Sequence, residues 1–343
     1  MTTRVCAFGG GHGLSASLRA LRRIRGLSIT AIVTVGDDGG SSGRLRAERH
    51  ILPPGDLRQA LAALASEDPF TGDTARLFQH RFTGTGELAG HPVGNVVLCG
   101  LMEMLGDPVA ALDHAGALLH AQGRVLPMSP VPVSIEADVR AEAGDLVTVR
   151  GQHQVAITRE HVEAVRLIPP DPPACAEAVA AVRDADWLIF GPGSWYTSVI
   201  PHLLVPALAR AITASGAARL ITLNLAAEKE TASLSLPDHL RALTRYLPGL
   251  RADVVVADGR AVGDPEPIRR AAESLGARLV LAPVAVEDGG PRHDPSALAA
   301  ALSAVLGQGT GTTQDEQAHN GTTGRIEGRA GMPEGYEVTR QWR

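Results

Sequence analysis

The stretch Arg4-Val5-Cys6-Ala7-Phe8-Gly9-Gly10-Gly11-His12-Gly13-Leu14-Ser15 decides how the rest of the chain is read. Arg4 to Phe8 is short, largely apolar and ends at glycines, the pattern of a strand buried inside a parallel sheet. Leu14, Leu18 and Leu21 follow at helical spacing, with arginines on the opposite face, and Ser28 to Val35 is a second β-rich run. Strand, glycine loop, helix, strand is the βαβ unit of doubly wound folds. Glycines after a strand let the backbone approach a ligand, and the following helix aims its free N–H groups at an anion. Gly9, Gly10, Gly11, His12, Gly13 and Leu14 therefore form a candidate phosphate cradle. The loop lacks the Gly-Lys-Ser/Thr ending of a Walker A motif. It does fit the G-x-G-x-x-A dinucleotide pattern through Gly11, Gly13 and Ala16, with Asp37 about 20 residues on. A nicotinamide dehydrogenase is thus one reading of this stretch taken alone.

Working outward, a second glycine-rich loop follows, Gly36-Asp37-Asp38-Gly39-Gly40-Ser41-Ser42-Gly43-Arg44. A dinucleotide fold needs one acidic residue here, not two. Asp37 and Asp38 could hold Mg²⁺ or a sugar hydroxyl, while Ser41, Ser42 and Arg44 offer hydroxyls and a charge-assisted fork to an anion. Pro53-Pro54-Gly55-Asp56 opens a helix through Leu57, Leu61 and Leu64, with Asp56 expected as its N-cap. His91-Pro92-Val93-Gly94-Asn95 precedes an apolar helix, so His91 and Asn95 face either a ligand or a helix-entry turn. Residues 94–120 read as two helical pieces broken at Gly106-Asp107-Pro108.

From 124 to 168 the rhythm changes to short strands, at 131–137, 146–149 and 155–158, expected to form an inserted β-rich element. The α/β alternation resumes with Trp187 to Phe190, the loop Gly191-Pro192-Gly193-Ser194, a helix over 206–214 and a strand over 219–223 ending at Asn224. Strands over 254–256 and 278–282 and a last helix near 295–306 complete it. Ligands of open parallel sheets sit beyond the carboxyl ends of the strands. The loops carrying Gly10, Asp37, Gly193, Ser194 and Asn224 all fall on that edge. The fold class is accordingly α/β, a Rossmann-like doubly wound and mostly parallel sheet over residues 1–307. Residues 308–343 are poor in apolar side chains and are expected to be a disordered tail.

Composition narrows the function. The net charge of −5 argues against a dedicated nucleic-acid binder, which carries a basic face. Lys229 is the only lysine, the other basic residues being arginine. Cys6, Cys99 and Cys175 lie far apart in apolar stretches, without metal or disulfide spacing, and read as small core residues. The histidines His80, His114, His120 and His202 read as surface or capping residues, and no His/Cys cluster has zinc spacing. The N-terminus leads straight into a strand, and no apolar run reaches the roughly 18 residues of a membrane span. A cytoplasmic protein is expected, with no membrane partner. No G-x-S-x-G elbow or hydrolase triad is present, so no catalytic residue is assigned.

The motifs stand in the order of a known family. Gly9 to Ser15, Thr34 to Arg46, Pro53 to Arg58, Gly90 to Asn95 and Gly191 to Ser198 resemble those of the gluconeogenesis-factor family (YvcK), bacterial relatives of 2-phospho-L-lactate transferase (CofD). The resemblance spans roughly residues 3–306. It implies a UDP-sugar ligand, typically UDP-N-acetylglucosamine, and a cytoplasmic regulator of growth and cell shape on gluconeogenic carbon sources. It also implies that the ligand site draws on Gly9, Gly10, Gly11, Gly13, Leu14, Asp37, Asp38, Ser41, Ser42, Asp56, His91, Asn95, Gly193 and Ser194. A homo-oligomer and protein partners in carbon or cell-wall regulation are compatible with it. The transferase relatives suggest the alternative: a Mg²⁺-dependent phospho-acid transferase, with Asp37 and Asp38 on the ion. Three positions depart from the family: His12 stands for a usual Thr, Gln59 for an Asn, and the segment Asn224 to Thr231 is divergent.

Overall fold

The computed structural model describes residues 2–66, 68–141, 144–232 and 234–308, which belong to one unit, Met1–Thr310. The expected disordered tail, 308–343, lies outside the described residues except for Gln308, the last residue of a helix.

The first βαβ unit forms as the leading stretch predicts. Strand β1 (Thr3–Gly9) is buried from Val5 onward because neighbours cover both its faces, so its sequence does not alternate. Helix α1 (Gly11–Leu21) buries Leu14, Leu18 and Leu21, and β2 (Leu27–Val33) returns parallel to β1. Next come α2 (Gly40–Arg49), α3 (Pro54–Leu64), α4 (Pro69–Gln79) and α5 (Val93–Leu105). Helix α5 stops at Gly106, whose φ of 65° suits glycine, and the next helix, Pro108–Leu118, is capped by the Asp107 side chain on the Val109 N–H.

Strand β3 (Arg124–Pro127) pairs with β2, and the chain then leaves the main sheet for β4 (Ser134–Arg140), β5 (Leu146–Arg150) and β6 (His161–Ile168). It re-enters with β7 (Trp187–Phe190), β8 (Ala218–Thr222), β9 (Val254–Ala257) and β10 (Arg278–Leu281). The main sheet has seven strands in the order β10-β9-β8-β7-β1-β2-β3, every pair parallel. The fold is therefore Rossmann-like and doubly wound, its strand order reversing between β1 and β7. The second sheet is antiparallel, β5-β4-β6.

Four local expectations change. Residues 40–44 are not loop but the first turn of α2, so Ser41 and Ser42 are buried helical residues. Residues 155–158 are not a strand: Gln152–Ile157 is a short helix, and the third strand of the insertion is β6. The inserted sheet also starts later than 124, because Arg124–Pro127 is the edge of the parallel sheet. His202 is fully buried rather than on the surface; its Nε2 lies 3.0 Å from the Ile32 carbonyl, and its ring meets Phe8 edge-on. The three cysteines are free and buried, and burial pushes the Cys6 and Cys175 thiols up to about 12 and about 11. Among the described residues no single helix is long and apolar enough to cross a membrane.

Candidate functional site

At the β1/β7 reversal the loops after both strands face each other. Gly10 caps α1 and has no side chain to occupy the helix N-terminus, where the first amide, Gly11 N–H, is taken by the Asp56 carboxylate. Gly11 has φ +56°, a conformation other residues rarely adopt, and Gly13 touches the opposite loop. A Cβ on Gly13 would lie 2.3 Å from the Pro192 carbonyl oxygen. Ser17 ties α1 to the same loop, its hydroxyl donating to the Gly191 carbonyl at 2.9 Å.

The second loop is braced from beneath. The Asn224 amide nitrogen donates to the Gly193 carbonyl at 2.9 Å, and its oxygen accepts the Gly193 N–H at 2.7 Å. Both ends of that side chain are used in shaping the loop. The Ser194 hydroxyl bonds the Glu230 carboxylate and caps the wide helical turn Trp195–Val199. Trp195 is locked by its Nε1–H on the His239 carbonyl at 2.6 Å. Glu230 is itself buried, which raises its pKa against the pull of Ser194.

Between the loops opens a cleft of about 710 Å³, within the usual range for small-molecule sites. Of the residues predicted from the sequence, Gly10, Gly11, His12, Gly13, Gly193, Ser194 and Asn224 line it. Gly9 and Leu14 sit behind the first loop, a Cβ on Gly9 falling 3.1 Å from that of Leu14.

The other predicted polar residues do not line the cleft; Ser41, His91 and Asn95 join Arg58 in a buried polar network. Ser41 Oγ and His91 Nδ1 are 2.7 Å apart, Asn95 Nδ2 donates to Ser41 Oγ at 2.9 Å, and Arg58 Nε donates to Asn95 Oδ1 at 2.8 Å. Arg58 also bonds Gln79, and burial followed by the nearby charge of Arg81 lowers its pKa to about 10. Burial, then Arg44, lowers that of His91. Ser42 accepts the Gly55 N–H at 3.0 Å, and Arg44 is turned outward to the Ala89 carbonyl at 2.9 Å.

The acidic residues are arranged differently from the expectation. Asp56 is not an N-cap: Pro53 caps α3, and Asp56, third in the helix, is buried under the first loop. A Cβ on Gly10 would come within 2.5 Å of Asp56 Oδ2. Burial, then the Asp37 charge, raises the Asp56 pKa to about 7, against the Gly11 N–H and Arg58. Asp37 accepts the Gly39 N–H at 3.0 Å. Asp38 diverges from it: its carboxylate takes the His153 N–H at 2.9 Å and holds the inserted element. The neighbouring carboxylates are therefore Asp37 and Asp56, not Asp37 and Asp38. Among the described residues no group of three or more His, Cys, Asp or Glu side chains could hold a metal ion.

On the opposite wall, Leu225 to Glu228 belong to the divergent segment Asn224 to Thr231 that the sequence singles out, whereas Val286, Pro291, Arg292, His293 and Pro295 reach the cleft from far along the chain with no signal in the sequence. Ser15, Ala16 and Arg19 had one, since they repeat from His12 at helical spacing.

Comparison with known proteins places this geometry. A Mycobacterium tuberculosis protein described provisionally as a gluconeogenesis factor is 48% identical over 347 residues, 99% of this chain and 100% of its own. The gluconeogenesis factor of Bacillus subtilis is 37% identical over 278 residues, 81% of this chain and 84% of its own. The family model described as 2-phospho-L-lactate transferase CofD matches residues 5–280. The chain belongs to the CofD family, in its gluconeogenesis-factor branch. A crystal structure from Bacillus halodurans carries the same fold, with a TM-score of 0.77 at 34% identity, covering 88% of this chain and 99% of that one. The family match runs across the whole G-x-G-x-x-A stretch and Asp37, and assigns them to a family other than the nicotinamide dehydrogenases.

Proposed function

We propose that this protein binds a nucleotide sugar of the UDP-N-acetylglucosamine kind and acts as a cytoplasmic regulator of growth and cell shape on gluconeogenic carbon sources. The observation that carries the reading is the pair of glycine loops, after β1 and β7, that open onto one cleft. The diphosphate belongs at the first amides of α1, where the helix dipole favours negative charge. That the Bacillus subtilis relative is a gluconeogenesis factor supports the carbon-source part. Titration followed by thermal unfolding tests the ligand: UDP-N-acetylglucosamine should raise the melting temperature with concentration by mass action. A response to other nucleotides with none to UDP-sugars sinks it. A strain lacking the gene should grow on glucose and fail on a gluconeogenic carbon source.

A second reading, a Mg²⁺-dependent phospho-acid transferase, is favoured by the Asp37–Asp56 pair. Mg²⁺ takes carboxylate and phosphate oxygens together, so these two residues would hold it only with a ligand phosphate present. The ion would supply charge neutralisation to a transferring phosphoryl group. Absence of product from a deazaflavin acceptor, an activated phospho-acid and Mg²⁺ removes this reading.

A further inference from the structure

The inserted sheet has one closed edge and one open edge. On β6 the Val165 N–H is taken by the Tyr246 hydroxyl at 2.8 Å, so the helix Leu236–Tyr246 covers that side. Strand β5 lies at the other end of the order β5-β4-β6 and pairs with β4 alone. Its two ends fix which residues bond β4. Asp145 accepts the Ala141 N–H at 2.9 Å, and Gly151 donates to the Ile135 carbonyl at 2.8 Å. Both bonds continue the β4/β5 register, so the odd-numbered residues of β5 bond β4 and the even-numbered ones face away. Leu146, Thr148 and Arg150 thus present their N–H and C=O groups along an edge that no strand among the described residues pairs with.

Edge strands are normally blunted by proline, lysine, a bulge or a covering element. Strand β5 carries neither Pro nor Lys, its register with β4 runs without a shift, and Arg150 is turned back onto Glu136 of β4 at 3.0 Å. It also exposes apolar side chains: Leu146 is 58% and Val147 47% exposed. The complement of this edge is the edge itself. Run antiparallel about a two-fold axis at Thr148, two copies of β5 overlap along their whole length, and every outward N–H and C=O of Leu146, Thr148 and Arg150 finds a partner. Val147 of each copy then lies opposite Val149 of the other, in the closely spaced pairs without mutual hydrogen bonds, on the face where Ala137 and Val139 are buried. Leu146 meets the aliphatic stem of Arg150, and no like charges oppose each other.

We propose that this edge is a homodimer interface: β5 pairs with β5 of a second copy and joins the two inserted sheets into one continuous antiparallel sheet. Strand β5 contributes nothing to the lining of the cleft, so the proposal stands apart from the nature of the ligand.

Sedimentation equilibrium of the full chain tests it. The pairing is shorter than a standard interface, so a dimer dissociating on the order of 10 µM is expected. Thr148→Pro removes the central outward N–H and leaves the bonds to β4 in place, as proline at a solvent-facing edge position does. Val147→Lys puts a charge into each Val147–Val149 pair. Each should weaken the dimer at least about tenfold while the far-ultraviolet circular dichroism stays that of the wild type. Met104→Glu, on the exposed face of α5, should leave the dimer unchanged. A wild type that stays monomeric at about 100 µM, a dimer that survives in whichever β5 variant folds, or one that Met104→Glu breaks, overturns the assignment.

Discussion

Asp56 carries its carboxyl into a buried place beneath the glycine loop that follows β1. Its folded pKa, about 7, lies above the ordinary 3.8. Between those values the folded state keeps a proton that the unfolded chain releases, so this residue's contribution falls as pH rises through the window. Asp56→Asn keeps an acceptor for the Gly11 N–H and removes the titration. The variant should match the wild type near pH 3.5 and exceed it at pH 8 by roughly 2–4 kcal/mol in urea unfolding. A variant less stable at pH 8 would show that the charge is satisfied. Sequence reading placed Asp56 at the right helix and offered it as N-cap or ligand residue; the structure overturns the first. A Pro-Pro-Gly-Asp opening looks like a cap; only the tertiary approach of Gly10 and Gly11 turns the side chain inward.

Among the elements, the contact between the loop after β1 and the loop after β7 is backbone on backbone. Gly13→Ala should cost about 2–4 kcal/mol, as overpacking against atoms that cannot rotate away does, whereas Gly26→Ala, with open space around it, should act only through its φ of +77°. Paired thermal melts separate the two. A Gly13→Ala protein melting like the wild type would mean the loops move apart freely. The βαβ start was legible because its signals are local: a buried apolar run, a glycine break, then leucines at helical spacing. Residues 40–44 were not, since Gly and Ser are poor helix formers by themselves. Here Ser41 is held by His91 and Asn95, and Ser42 by Gly55, partners that no window of neighbouring sequence contains. Val155 and Ile157 misled through their β-branched side chains, because Asp38 supplies the N-terminal anchor of that short helix from over a hundred residues away.

At the scale of the whole molecule the same distance explains what stayed hidden. The wall from Val286 to Pro295 closes the cleft only because β8, β9 and β10 are added outward from β7. Burial of several histidines sets the acid response. It holds the His202 pKa at about 4, and lowers those of His239 and His293. These groups take protons on unfolding, so they drain stability as pH falls below 6.5, opposite in sign to Asp56. The wild type should therefore show a shallow profile between pH 4.5 and 6.5, and Asp56→Asn a steeper acid loss; parallel urea midpoints for the two would refute the opposition. Asp56 has one further consequence. An anion seated above it makes its ionised form still less favourable, so occupancy and protonation are coupled. Near pH 7.5 the filled site should capture a fraction of a proton from the medium. The heat of binding should then vary with the ionisation enthalpy of the buffer, and in Asp56→Asn it should not.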